Sequence, residues 1–161
     1  MNWDAIGAAG ETLGAVAVFV SLIYLAIQIR AQNKESRIAS VHEIIEAFRQ
    51  STAMLINPEV AQIYVKAIRG IDQLEDWERM SFIATSALLM RVWEESFYQH
   101  SEERLDDSIW EAMETQYSDW ISAKGPQDVW ALRKQYYRHE FRRYVDSIDL
   151  KQREYRIEKH S

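Results

Sequence analysis

Ile6 to Ile29 reads IGAAGETLGAVAVFVSLIYLAIQI, and Glu11 is its only charge. From Thr12 onward, 18 residues in a row are uncharged. A helix of that length extends roughly 27 Å, about the thickness of a bilayer's hydrocarbon core. Trp3 stands before the run and Tyr24 near its far end, where amphipathic rings prefer the membrane interface. Arg30, Lys34 and Arg37 follow at once, whereas the preceding flank carries Asp4 and neither Lys nor Arg. Cationic flanks stay on the cytoplasmic side, so the expectation is a single-pass protein, N-terminus outside and the rest in the cytoplasm. A cleaved signal peptide would need positive charge before the run and a small-x-small cleavage site after it; neither is present. A buried core helix of a soluble protein stays open as a reading, because the run is short and rich in Ala and Gly.

Within the run, Gly7, Gly10, Gly14, Ala17 and Ser21 recur at alternating spacings of three and four. That is a heptad seam of small residues, and Gly10 with Gly14 forms a GxxxG pair. Small residues let helix backbones approach closely where lipid supplies no hydrophobic drive. No second span is available to fill the groove, since the apolar stretch Phe82 to Met90 is short and bracketed by Arg79 and Arg91. The expected partners are the lipid bilayer and a second copy of the chain, with another membrane protein as the alternative. Glu11 has two readings. It sits at the outer headgroup level with little to do, or it faces an oligomer axis in a ring of carboxylates, as in cation pores.

The remainder reads as helical. With 5 Gly and 2 Pro in 161 residues, turns are scarce. No Gly or Pro occurs from Ala15 to Asn57, so one helix is expected from about Trp3 to Ile56, with Ile38, Val41, Ile45, Phe48 and Leu55 as its stripe. Asn57-Pro58 ends it. A second helix runs to Arg69, where Gly70 stops it, and Asp72 with Glu75 suggests a capping pattern. A third reaches about Ser101, with Phe82, Thr85, Leu89, Val92, Trp93 and Phe97 on its apolar face. A fourth spans about Asp106 to Ser122. A fifth starts near Pro126 and carries Val129, Trp130, Leu132, Tyr136, Tyr137, Phe141 and Val145. The expected fold is all-α: one N-terminal transmembrane helix extending into a cytoplasmic bundle, about five helices in total. The divisions are an anchor over 1–30, a helical domain over 31–149 and a polar tail over 150–161.

The stretch Leu22-Ile23-Tyr24-Leu25-Ala26-Ile27-Gln28-Ile29-Arg30 resembles short bacterial membrane proteins whose first helix ends in a YLA-x-QIR signature. Arg91 to Tyr98 (RVWEESFY) and Trp130 to Phe141 are similar to that group too. The resemblance implies an anchored helical domain at a bacterial inner membrane and brings no activity with it.

Chemistry is sparsely signalled. There are no Cys, which excludes disulfides, thiolate zinc sites and Cys nucleophiles. No P-loop, dinucleotide turn or Gly-x-Ser-x-Gly elbow occurs. Neither a cofactor nor a metal is expected: no Glu-x-x-His pair exists, and Glu94, Glu95, His100, His139 and Glu140 are only scattered ingredients. Helical ribonucleases of the HEPN type carry Arg and His with four to six residues between. Arg133 with His139 fits, as does Arg37 with His42. Chance gives about one such hit in a chain of this composition, so a membrane-tethered, RNA-acting effector is the alternative and not the leading expectation. The net charge of −6 also argues against nucleic acid. It is unevenly spread: 13 acidic residues lie between Asp72 and Asp119, and nine basic residues between Arg133 and Lys159. The basic segment is expected to pack on the acidic one, or to meet anionic lipid or RNA. Trp93, Trp110, Trp120 and Trp130 are expected to be core or interface anchors.

Overall fold

The first helix, α1, runs without interruption over Trp3–Ala53, as the absence of breakers requires. A computed structural model describes residues 3–153 and 155, the side chains of 3–9, 12 and 152 excepted. Among the described residues there are α-helices, short 3-10 turns and no strand, so the fold is all-α. Grouping by contact divides the chain into two units between Ala39 and Ser40, inside α1.

The second unit begins with the last turns of α1. Ile44 and Ser51 are buried there, with Val41, Phe48 and Leu55 packed on the core. The inward stripe is therefore Val41, Ile44, Phe48, Ser51 and Leu55. The sequence pattern had placed Ile45 on it, but Ile45 is 52% exposed. A 3-10 turn, Met54–Ile56, follows. Asn57 is then held extended by the proline after it, and its side chain accepts the Glu59 N–H at 2.9 Å. Helix α2 spans Pro58–Ala67 with Pro58 in its first turn. Gly70 (φ 132°) turns the chain in a region closed to other residues.

The next cap lies one turn beyond the expected Asp72–Glu75 pattern. Ile71 and Leu74 go into the core, Asp72 stays exposed, and the capping box forms between Glu75 and Glu78 at the start of α3, Asp76–Ser101. Glu78 is buried there because it accepts both the Glu75 N–H at 3.1 Å and the Lys66 ammonium of α2 at 2.7 Å. Helix α4, Asp107–Ile121, is capped by the Asp106 side chain on the Ser108 N–H. Helix α5 spans Lys124–Arg133. Gly125 lies in its first turn, where a Cβ would collide with the Ala67 carbonyl, and its own N–H donates to the Ile68 carbonyl at 3.2 Å.

The expected single fifth helix is two. After Arg133 a 3-10 turn, Lys134–Tyr136, and extended residues Tyr137 and Arg138 intervene before α6, His139–Asp146, which brings the described α-helices to six. No Gly or Pro marks this break. A side chain from α3 holds it, as described below.

Trp93 is the centre of the core at 0% exposure. It stacks on Tyr117 at 5.1 Å and meets Phe141 and Tyr144 edge-on at 5.4 and 5.8 Å. Trp110, Trp120 and Trp130 are buried as well. Aromatics of this size bury about 150–250 Å² each, so such a cluster supplies a large part of the apolar burial. Among the described residues, the basic end meets the acidic middle at one ion pair, Arg153 to Asp119 at 3.4 Å. Beyond Asp149 the polar tail forms a 3-10 turn, Leu150–Gln152, and Tyr155 packs on the core.

Candidate functional site

Two features stand out, one in each unit. In the first unit every side chain described from Gly10 to Ala39 is exposed. Leu13 (70%) and Phe19 (65%) are typical of an apolar surface that continues to Ile29. No described residue buries it, and the helix is long and apolar enough to cross a membrane. At about 100° per residue, Gly10, Gly14, Ala17 and Ser21 fall within an arc of about 60°. A Cβ added at Gly10 or Gly14 would find nothing within 4 Å. The Ser21 hydroxyl donates to the Ala17 carbonyl at 2.8 Å, so its polar group is satisfied within the helix and the seam stays smooth. Gly7 lies outside the residues whose surroundings are described, as does Trp3. Glu11 is exposed, about 60° round the helix from Gly14, at the border of the seam.

In the second unit the chemistry gathers around Glu94. The residue is 8% exposed, and its carboxylate accepts the Arg138 N–H at 2.7 Å through Oε1 and pairs with Arg91 at 2.7 Å through Oε2. Arg91 in turn donates to the Tyr136 carbonyl at 3.0 Å and lies over the Tyr137 ring at 4.4 Å. The backbone groups freed by the α5–α6 break are thus taken up by one ion pair from α3. Sequence reasoning considered Glu94 as an ingredient of a metal site and missed the break that it holds with Arg91. The signal was there: Glu94 is four residues past Met90 and eight past Ser86, on the buried face of α3.

Two depressions flank this pair. One, of about 380 Å³, is lined by Glu94, Phe97, Tyr98 and Arg138 among others, and Arg138 covers the Tyr98 ring at 4.5 Å. The other, of about 270 Å³, is lined by Met80, Ile83, Arg91, Arg133 and Tyr136 among others. Arg133 therefore borders this second depression, 5.7 Å from the Tyr136 ring, while His139 is exposed in the first turn of α6 and lines neither. Arg37 and His42 are both exposed on α1.

The other titratable groups are held apart. Glu95 accepts from Gln99, and His100 stacks on Trp110 at 4.9 Å with Nδ1 3.7 Å from Asp107. Glu140 is exposed. Among the described residues no three His, Asp or Glu side chains gather as metal ligands would. Burial pushes the phenols of Tyr64, Tyr117 and Tyr144 well above the ordinary tyrosine value, so all three stay protonated as core residues. Comparison with known protein families, characterised proteins and solved structures gives no match.

Proposed function

We propose that the chain is a single-pass membrane protein that self-associates through the seam of Gly10, Gly14, Ala17 and Ser21 into a homo-oligomer at a cytoplasmic membrane. The observation that carries this reading is an apolar helix left wholly exposed by the described residues. Continuous exposed apolar surface on this scale marks a membrane or partner contact. Its small-residue side is open at the two glycines, which suits a second helix at close range. The flank Arg30, Lys34 and Arg37 favours an outside N-terminus and a cytoplasmic helical domain. The assembly is a scaffold if the seam closes on itself, and a cation-conducting pore if the helices ring an axis with Glu11 turned inward.

The mass of the detergent-solubilised complex tests self-association: a single-copy mass contradicts it. Planar-bilayer recordings then divide the two forms. Cation conductance that falls in Glu11→Gln supports the pore, and a silent wild-type complex supports the scaffold.

A further inference from the structure

Arg30, Lys34 and Arg37 follow directly on Ile29, the last residue of the apolar run, and all three are exposed. Their spacing of four and three places them within an arc of about 60° and about 10 Å of helix length. None makes an ion pair or a hydrogen bond with a described residue. The one carboxylate among them in sequence, Glu35, points about 100° or more away from each cation. The same count puts the cationic arc about 160° from the seam of Gly10, Gly14, Ala17 and Ser21. Helices packed through the seam therefore turn these cations outward, away from their own partner.

We propose that this face binds the anionic headgroups of phospholipids where the helix leaves the hydrocarbon core. The inference rests on the membrane reading above and adds a lipid class to it. Two guanidinium groups are matched in shape and charge to phosphate oxygens, and Lys34 supplies a third, compact cation between them. A solvated helix face with three unpaired cations, ending where the apolar surface begins, is placed to meet phosphates and apolar chains together. The attraction fixes the depth of the helix and leaves the seam free for self-association. Three cations at a membrane surface strengthen binding of anionic over neutral lipid on the order of 100-fold at low salt, and added salt screens the effect.

The test uses the full chain in neutral detergent, titrated separately with phosphatidylglycerol and phosphatidylcholine, with bound lipid counted by native mass spectrometry. The expected result is tighter binding of phosphatidylglycerol on the order of 100-fold, lost in the Arg30→Gln, Lys34→Gln, Arg37→Gln triple variant. The charge-preserving triple variant Arg30→Lys, Lys34→Arg, Arg37→Lys keeps the preference, which separates charge from any effect on folding. Equal binding of the two lipids by the wild type, or an undiminished preference in the glutamine variant, overturns the proposal. A chain that stays in solution without detergent refutes the membrane reading itself. One that needs detergent but shows no preference refutes only the lipid contact.

Discussion

Gly14 has open space where a Cβ would stand, with nothing within 4 Å. In the isolated chain Gly14→Leu therefore meets no steric resistance, and it replaces the weakest ordinary helix former by a strong one. The proposed oligomer is a different matter. There the seam is the contact, and four added carbons must be fitted between backbones that approach closely because glycine has no side chain. Inserting such atoms into a packed interface costs about 1–3 kcal/mol, occasionally more, which corresponds to about a five- to 150-fold loss in association. Ala26→Leu is the control: it adds carbons on the same helix about 150° round from the seam and leaves association unchanged. The assay is a dilution series of the detergent-solubilised complex read by native mass or by energy transfer between labelled copies. Gly14→Leu should shift the midpoint upward and leave the melting of the helical domain unaltered. An unchanged midpoint in Gly14→Leu, or an equal shift in Ala26→Leu, refutes the seam.

Glu94→Ala should destabilise the helical domain by about 1.5–3 kcal/mol, because a charged acceptor is lost and the Arg138 N–H is left without its partner. Glu94→Gln, which keeps an acceptor, should cost less, and equal thermal melting of the two variants would contradict the capping role. Gly125→Ala should cost about 1–3 kcal/mol by pressing a methyl group against the Ala67 carbonyl, and an unchanged denaturation midpoint would show that α2 and α5 can move apart freely. The Glu78 carboxyl is held below its ordinary value by the Lys66 hydrogen bond first and the Glu75 N–H second. Its contribution to stability is thus present above about pH 4.5 and is lost as pH falls through the depressed folded value. Lys66→Met should lower the melting temperature near neutral pH and converge on the wild type in acid; a difference that persists at low pH would point to packing of the lysine stem instead.

The helices that announce themselves by punctuation were legible. Asn57-Pro58 ends the first stretch and Gly70 turns the second, each by a local rule that needs no tertiary context. The misreadings share a cause. Nothing local distinguishes Ile44 from Ile45, since both are isoleucine; the face that is buried is the one carrying Phe48, which meets Tyr117 of α4 edge-on at 6.0 Å. The α5–α6 break has no breaker residue, because what stabilises it is Glu94, more than forty positions earlier in the chain. The capping box slipped by one turn because burial of Leu74 and the Lys66 ion pair selected Glu78 over Glu75 as the reciprocal acceptor. The seam and its flanking cations needed only residue type and spacing, so they could be read from the sequence.

The account rests on α1 crossing a bilayer, and extraction of membranes with alkaline carbonate tests that most directly. Cells producing the full chain are fractionated, the membranes are washed at high pH, and the chain is followed by immunoblot. A spanning helix with its apolar residues from Leu13 to Ile29 in lipid stays in the pellet until detergent is added. Release of the chain into the alkaline supernatant, or its recovery in the soluble fraction beforehand, would contradict the claim.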